Sequence, residues 1–222
     1  MIPPAGGEVV GDSPDRRVEI LSDHDALHAT WSRFGPGRDG ADLHVHRRHT
    51  DLFYVLAGEL TVRLGVEGDE VAVPAGNLVR VPPMVVHGFR NAGDAELRYL
   101  NFHAPGVGFA DYMRGIRDGR RVAFDQEPPP AHGIRPASGA VIGPAELDSA
   151  ELTIVEASGD RPRHVNGDVE WLYVLDGELT LTAGDRELSV PAGSCVQLPP
   201  GVEHAISSGG RARYLDVRAP SE

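Results

Sequence analysis

The sequence predicts an all-β fold built from two tandem barrel domains, and two observations lead to this prediction. The first is an internal repeat: FYVLAGELTV at 53–62 returns as LYVLDGELTL at 172–181, and VPAGNLVRVPPMVVH at 73–87 returns as VPAGSCVQLPPGVEH at 190–204. A spacing of about 120 residues is that of a small domain copied in tandem, not of a solenoid repeat. The second is that 27 Gly and 18 Pro residues separate short apolar runs, which is typical of short strands joined by tight turns.

The individual strands are predicted from apolar runs that end at turn residues. In 59–64, for example, Leu60, Val62 and Leu64 alternate with polar residues, a two-residue period that buries one face of a strand. The strands predicted in the first half are 17–21, 27–34, 42–47, 52–57, 59–64, 70–73, 78–81, 85–90 and 96–103. The strands predicted in the second half are 151–157, 163–166, 170–175, 178–183, 186–190, 195–198, 203–207 and 211–218.

A helix and a proline-rich linker are predicted between the two copies. Apolar residues recur at the helical spacing i, i+3, i+4, i+7, namely Phe109, Tyr112, Met113 and Ile116. They predict a short amphipathic helix near 108–118, packed on a barrel wall and stopped by Gly119. The run QEPPPAHGIRP (126–136) cannot form a helix or a central strand because proline lacks the amide donor. We therefore expect a semi-rigid linker that ends at about residue 138, between domains at 1–130 and 139–222.

Composition excludes several classes of partner. The chain carries 33 acidic and 21 basic residues, a formal net charge of −12, which disfavours nucleic acid and anionic membrane surfaces. No apolar run approaches the ~20 residues of a membrane span, and the first residues do not resemble a secretory signal. The single cysteine, Cys195, cannot form an intrachain disulfide, which fits a reducing compartment. We expect a cytoplasmic protein; a homodimer through outer sheet faces stays open beside a monomer.

Three histidines and one aspartate of the first copy form a candidate metal site. His44 and His46 are two residues apart in a predicted strand, so both imidazoles point to the same side of the sheet. Asp51 opens the next predicted strand, and His87 lies in a later one. Imidazole and carboxylate ligands suit a divalent transition metal, that is Fe, Mn, Co, Ni, Cu or Zn. The alternative is that these histidines line a wet barrel mouth or bond to one another.

Two motifs in this copy resemble those of the cupin superfamily. The run HxHxxxxDxxxxxxG, from His44 to Gly58, is similar to the first cupin motif, and GxxxxxPxMxxHxxxN, from Gly76 to Asn91, is similar to the second. The phrases FYVLxGEL and VPxGxxxxxPP also match. The resemblance implies jelly-roll barrels in a tandem, or bicupin, arrangement. The metal ligands that it implies are His44, His46, Asp51 and His87.

Two positions depart from the cupin pattern. Asp51 stands where the family usually has Glu and is one methylene shorter, which leaves a three-histidine site with open positions as an alternative. Met84 stands where the family normally has Gly, and its bulk is expected to narrow the pocket mouth. His49, in the intervening turn, is expected to face solvent.

The second copy has a reduced version of the same constellation. Its candidate ligands are His164, Glu170 and His204, while Asn166 replaces the second histidine. Neutral Asn is a poor transition-metal ligand, although two His and one carboxylate suit a facial triad. We favour the alternative of a decayed site, in which Glu170 bonds to one of the two histidines and the second barrel serves as a packing partner.

The residues and the resemblance together predict a metal-dependent small-molecule enzyme. An ion held by neutral His and at most one carboxylate keeps its positive charge and open positions, so it can polarise a bound oxygen. Asp51 or Glu170 would be the general base. The apolar pocket lining is expected from Phe53, Val55, Leu60, Val62, Val79 and Phe102.

Similarity to quercetinase-like bacterial cupins, which includes the segment NFHAPGVGFADYMR, implies a dioxygenase-type oxidoreductase. The alternatives are a metal-dependent isomerase or decarboxylase, and a non-catalytic bicupin that binds a small ligand.

Overall fold

The computed structural model describes residues 1–130 and 135–221, and these form two compact units. The N-terminal unit is Glu8–Pro144. The C-terminal unit combines Met1–Gly7 with Ala145–Glu222. Strands dominate both units, and the described residues contain one α-helix. The prediction of an all-β fold in two tandem domains is therefore confirmed.

The N-terminal unit is a two-sheet jelly roll. Its strands are β1 (Glu8–Ser13), β2 (Arg16–Asp23), β3 (His28–Phe34), β4 (Thr50–Ala57), β5 (Glu59–Leu64), β6 (Asp69–Pro74), β7 (Asn77–Val81), β8 (His87–Arg90), β9 (Leu97–Ala104) and β10 (Val141–Pro144). Seven of them form a sheet in the order β1-β2-β3-β9-β4-β7-β10, and the other three form a sheet in the order β6-β5-β8. The hydrogen bonds do not close into one continuous barrel; the two sheets instead share a buried apolar core that includes Phe53, Leu60 and Val79.

The C-terminal unit repeats this plan with fewer strands. Its strands are β11 (Glu146–Asp148), β12 (Thr153–Ser158), β13 (Arg161–Val165), β14 (Val169–Asp176), β15 (Glu178–Ala183), β16 (Arg186–Pro191), β17 (Cys195–Leu198), β18 (Glu203–Ser207) and β19 (Arg213–Ala219). They form a five-stranded sheet, β11-β12-β19-β14-β17, and a four-stranded sheet, β13-β18-β15-β16. A separate apolar core, which includes Leu172, Val190 and Tyr214, holds the two sheets together.

The predicted helix is α1 (Phe109–Arg117). Its buried face, through Ala110 and Met113, packs on Val10, Val18 and Ile20 of the edge strand β1 and its neighbour β2. The helix ends at Asp118, and Gly119 follows with a positive φ of 66°, a backbone conformation that glycine adopts without a steric penalty. The prediction of a short helix packed against a sheet, and of the glycine that stops it, is confirmed.

Four short segments differ from the predicted strands. The predicted strand 42–47 makes only isolated bridges, His44 with His87 and Val45 with Glu127, because its two neighbours come from distant parts of the chain and neither forms a continuous ladder with it. The observed strands β1, β10 and β11 were not predicted. Their sequences, EVVGDS, VIGP and ELD, are too short or too polar to show a clear two-residue period.

The edges of the two units differ from the predicted domain boundary of 130 to 139. Strand β10 pairs with β7, which places residues up to Pro144 in the N-terminal unit. Ile2 pairs with Cys195, which places the first seven residues in the C-terminal unit. Both assignments depend on hydrogen bonds between residues far apart in sequence. Residues 131–134 of the predicted linker lie outside the described residues. None of the described helices has the length and apolar character needed to cross a membrane.

Candidate metal centre

The four predicted ligands of the first copy come together inside the N-terminal unit. His44 and His46 lie in the bridge segment before β4, Asp51 lies near the start of β4, and His87 begins β8. One ligand atom of each residue lies within 4.8 Å of the others, and all four side chains are buried. The bridge between His44 and His87, with mutual backbone hydrogen bonds of 2.8 and 2.9 Å, joins the two motifs.

The three imidazoles are held by backbone carbonyls on their outer side. His44 Nδ1 lies 2.7 Å from the Asp42 carbonyl oxygen, and His87 Nδ1 lies 3.0 Å from that of Val85. His46 Nδ1 bonds in the same way to the Asp125 carbonyl. A carbonyl oxygen only accepts, so each Nδ1 carries the proton and each Nε2 presents a lone pair to the centre of the cluster. This tautomer is the one that metal-binding histidines adopt.

The spacing of the inward atoms matches a cation-binding site. His44 Nε2 and His46 Nε2 lie 3.1 Å apart, and Asp51 Oδ2 lies 3.3 Å from His87 Nε2 and 3.7 Å from His46 Nε2. Ligand atoms about 2.1 Å from an ion stand roughly 3.0–3.4 Å apart in octahedral or tetrahedral geometry. Two facing lone pairs repel at such a distance unless a cation lies between them. The donor set therefore fits a divalent transition metal, whose identity it does not specify.

Asp51 reaches the cluster although it is shorter than Glu. Asn101 Nδ2 donates to Asp51 Oδ1, and His103 Nε2 lies 3.4 Å from the same oxygen, so Oδ2 is free to face the histidines. Burial raises the pKa of this carboxyl, but the neighbouring imidazoles outweigh burial and hold the pKa well below its usual range. Asp51 is therefore ionised at neutral pH.

His44 is neutral at physiological pH. Burial, and after it the electrostatic influence of the neighbouring His87 and His46, lowers its pKa to about 3. Metal ligation requires a deprotonated ring nitrogen. Its electrostatic environment therefore supports the ligand state of this imidazole over a wide pH range.

His49 was expected to face solvent, but its side chain is buried. It is 1 % exposed and lies behind the cluster. Its ring packs 4.0 Å from that of His46, centre to centre, and its Nδ1 lies 3.1 Å from Asp125 Oδ2. The expectation was wrong because residues 47–49 do not form an open turn. Asp125 accepts hydrogen bonds from the amides of Arg47 and Arg48 and so folds the turn inward.

Three further polar residues near the cluster were not predicted: Asn101, His103 and Asp125. Strand alternation could have identified two of them, since Asn101 and His103 share the inner face of β9 with Tyr99. His103 is 2 % exposed and forms another compact histidine group with His46 and His49. No sequence signal indicates Asp125, which precedes the proline-rich run and reaches the cluster only through the fold.

Met84 occupies a backbone position that favours glycine. Its φ is +72°, in the left-handed region, where a side chain costs roughly 1–2 kcal/mol relative to glycine. Its amide donates to the His46 carbonyl over 2.7 Å, so the unusual conformation ties the turn before β8 to the ligand segment. This positive φ explains why the cupin pattern usually has glycine at the position of Met84.

The second copy brings His164, Glu170 and His204 together in the C-terminal unit, with ligand atoms within 4.8 Å of one another. His164 and His204 again have Nδ1 on backbone carbonyls, at 2.8 and 3.0 Å, and their buried Nε2 atoms have no hydrogen-bond partner among the described residues. His204 Nε2 lies 3.0 Å from Glu170 Oε2, outside hydrogen-bond geometry.

A guanidinium lies beside this second cluster. Arg161 Nη1 is 3.5 Å from Glu170 Oε1 and forms an ion pair with Asp216, while Asn166 donates to the other oxygen of Glu170. Burial, and then the charge of Asp216, raise the pKa of Glu170. The carboxylate thus already has an arginine as a neighbour, whereas the ion pairs of Asp51 with described residues involve only histidines.

A pocket of about 350 Å³ opens onto the first cluster. His44, His46 and Asp51 form part of its wall. The predicted apolar lining was wrong. Phe53, Val55, Leu60, Val62 and Val79 belong to the packed core, and Phe102 is buried outside that core cluster. The aromatic side chains of the wall are instead Phe34, Phe89, Tyr99, Phe109 and Tyr112.

The fold and the site define a protein of two tandem jelly-roll domains, at least one of which has a buried ligand set that can bind a metal. The family model described as a cupin domain matches residues 30–103 and 151–218, one match in each unit and together more than half of the chain. The chain therefore belongs to the cupin family and carries two cupin domains.

Individual relatives agree with this assignment. A 110-residue segment, 50 % of this chain, is 32 % identical to quercetin 2,3-dioxygenase of Bacillus subtilis (strain 168) and spans about a third, 32 %, of that protein. Among solved structures, Ylba from E. coli has a TM-score of 0.66 at 15 % identity, with 96 % of this chain and 87 % of that one covered.

Two further solved structures share the fold at low identity. AerE from Microcystis aeruginosa has a TM-score of 0.66 at 13 % identity, with 97 % of both chains covered. Lactobacillus farciminis oxalate decarboxylase, in a formate complex, has a TM-score of 0.62 at 15 % identity, with 97 % and 84 % covered. These likenesses show a common fold.

Proposed function

We propose that this bicupin is a metal-dependent enzyme of the dioxygenase type, acting on a small oxygen-bearing organic substrate at the first cluster. The observation that carries the proposal is the convergence of three imidazoles and one ionised carboxylate in a buried cluster that lines a pocket through His44, His46 and Asp51. The ligands would be His44, His46, Asp51 and His87. The local identity to a quercetin 2,3-dioxygenase favours oxygen chemistry over the other reactions of metal sites.

A divalent metal bound there would supply Lewis acidity and open positions for oxygen ligands. The protein side chains would orient the ligands and shield the substrate. Carbonyl-bound Nδ1 atoms fix the three rings, and Asn101 fixes the carboxylate of Asp51. The aromatic wall, including Phe89 and Phe109, excludes water from a bound substrate. Asp51 lines the pocket and remains the expected proton acceptor of this domain in the alternative in which three histidines alone hold the ion.

The second cluster supports a weaker proposal. Its three candidate ligands, His164, Glu170 and His204, lie close together, but Arg161 supplies a positive charge at Glu170. A metal ion would have to compete with that charge. We infer that the first domain holds the ion and that the second does not. The raised pKa of Glu170 fits a proton-transfer role, which stays a prediction.

Metal analysis of protein purified without an affinity tag tests the assignment. We expect about one ion per chain in the wild type, and loss of that ion in His46→Ala and in His87→Ala. His24→Ala is the matched control, since His24 lies outside the cluster and its ring accepts a hydrogen bond from the Ala26 amide. Unchanged metal content in both ligand variants would refute the metal centre.

Oxygen uptake tests the reaction class on metal-loaded protein. A panel of flavonols, diketones and organic acids should include a substrate whose turnover consumes O₂ and stops in His87→Ala. Release of CO₂ without O₂ consumption would indicate a decarboxylase instead. Micromolar binding without turnover of any panel member would indicate a non-catalytic binding protein.

A further inference from the structure

The pocket extends from the metal cluster along the inner face of the seven-stranded sheet. His103 of β9 lies beside Asp51 of β4, and the next inward residues of β9 are Asn101 and then Tyr99. Ser32 of β3 pairs with Tyr99. Because strands rise about 3.3 Å per residue, the Tyr99 row lies roughly 13 Å from the His103 row. The pocket is therefore elongated, with the cluster near one end.

Arg16 lies at the other end of this pocket. Its Cζ is 3.7 Å from the position that a Cβ on Gly11 would take, and Val18 Cβ is 3.8 Å from that same point. Val18 pairs with both Gly11 and Ser32, so the guanidinium leans back toward the Tyr99 row rather than out of the sheet. The missing side chain at Gly11 leaves the space that the guanidinium uses.

The charge of Arg16 has no carboxylate partner. Within residues 1–130 and 135–221 it forms no ion pair, and its buried Nε has no hydrogen-bond partner. The adjacent Arg17, which points to the other face, pairs with Asp12 at 2.9 Å and Glu19 at 2.7 Å. A partly buried guanidinium without a counter-ion is costly unless an anion satisfies it.

Other charged groups of the lining do not neutralise Arg16. Arg38 is paired with Asp15 at 3.0 Å. The Asp42 side chain is fully exposed, 3.8 Å from Arg63. Asp39, the remaining acid of the lining apart from Asp51, forms a backbone bridge with Arg90 and no ion pair with a described residue. Arg16 is thus the unpaired cation of the pocket wall.

We propose that Arg16 binds a carboxylate of the substrate, so that the substrate is an elongated organic acid with oxygen donors at one end and an anionic group at the other. This inference rests on the proposed function, because it names the substrate class of the same site. The planar guanidinium matches a carboxylate with two parallel hydrogen bonds. Between the two ends, Phe89 and Tyr112 line a middle section suited to an aromatic or apolar body, while Phe34 pairs with Arg16 and lies at its end of the pocket.

The binding of a carboxylate by Arg16 can be tested with a series of (3,4-dihydroxyphenyl)alkanoic acids. The acids have two to six methylenes, and each is compared with its primary amide. The catechol oxygens are the groups expected to bind at the metal cluster. Of each pair, only the acid has a negatively charged group at the other end. Calorimetric titration of metal-loaded wild type should show at least one chain length at which the acid binds about tenfold or more tightly than its amide. A charge-assisted hydrogen bond of about 1.5–3 kcal/mol corresponds to that preference.

Arg16→Gln should abolish the acid preference and leave amide binding and metal content unchanged. Arg16→Lys should keep part of the preference, and Arg17→Gln, the matched control on the opposite face, should keep all of it. Equal binding of acid and amide at every chain length in the wild type would overturn the proposal, as would a preference that survives in Arg16→Gln.

The failure of this inference can be told apart from failure of the metal centre. If the wild type contains no metal, the same titrations on the metal-free protein still compare acid with amide, and the Arg16 dependence should persist with weaker binding. If metal is present but the acid preference is absent, the metal centre stands and the substrate class is wrong.

Discussion

Asp51 links the metal cluster to the sheet behind it. One oxygen faces the histidines and the other accepts from Asn101, so the carboxylate has a single useful orientation. Residues that hold a ligand in this way affect metal affinity without touching the ion. Asn101 is therefore a positioning residue, and its own amide also donates to the Leu52 carbonyl.

Replacing Asn101 tests this positioning role. Asn101→Leu removes the donor and leaves Asp51 Oδ1 with His103 alone, so we expect the metal dissociation constant to rise about ten- to a hundredfold. Competition with a chelator measures it. Asn77→Ala, which alters an exposed turn amide, is the control. A purely structural role would lower the unfolding midpoint while leaving the affinity of the folded protein unchanged.

At the scale of elements, the segment after the helix braces the ligand turn. Asp125 accepts hydrogen bonds from the Arg47 and Arg48 amides and from His49, while its carbonyl accepts from His46. The next residues pair with the bridge segment through Val45 and Glu127. A stretch that precedes the proline-rich run therefore shapes the first domain, whereas the sequence indicated only a linker from residue 126 onward.

This bracing predicts a loss of stability in Asp125→Ala. The change leaves two partly buried amides and the buried His49 ring without their acceptor, which costs about 1–3 kcal/mol of unfolding free energy, and it loosens the turn before Asp51. Urea unfolding measures the free energy, and metal titration should show weaker binding. Glu127→Ala is the matched control: it breaks only an exposed ion pair with Arg47, so its stability should stay close to wild type. Equal losses in the two variants would contradict the bracing role.

Across the whole molecule, the two copies keep the same fold and differ in what neutralises their polar centres. In the first copy an anionic aspartate faces three imidazole lone pairs, whereas in the second Arg161 lies beside the carboxylate. Duplication has thus produced one domain suited to a metal and one whose carboxylate already has a protein cation.

Metal removal should therefore affect the two domains unequally. A ligand at a hundred times its dissociation constant stabilises the native state by about 2.7 kcal/mol. We expect chelation to lower the thermal unfolding transition of the N-terminal unit and to leave that of the C-terminal unit in place, as measured by calorimetry. His87→Ala should reproduce the chelated profile and show no further response to chelator. A shift of both transitions would indicate metal in both clusters.

The sequence by itself determined the fold class, the tandem plan and the four residues of the first cluster. Each depends on a local pattern: the two-residue period of half-buried strands, the long repeat, and motif spacing such as HxH, which directs both rings to one side. The helix could also be predicted from the sequence, because the spacing of apolar residues such as Phe109 and Met113 within one segment indicates which face is buried.

Only the tertiary structure decided the unit boundaries, the burial of His49, the role of Asp125 and the position of Arg16 in the pocket. In each case the deciding contact joins residues far apart in the chain. Asp125 meets Arg47, β10 pairs with β7, and the inner face of β2 is brought into line with β9 by sheet order. Sequence periodicity reports which face of an element is buried but not which other element covers it, so such contacts follow only from the packed fold.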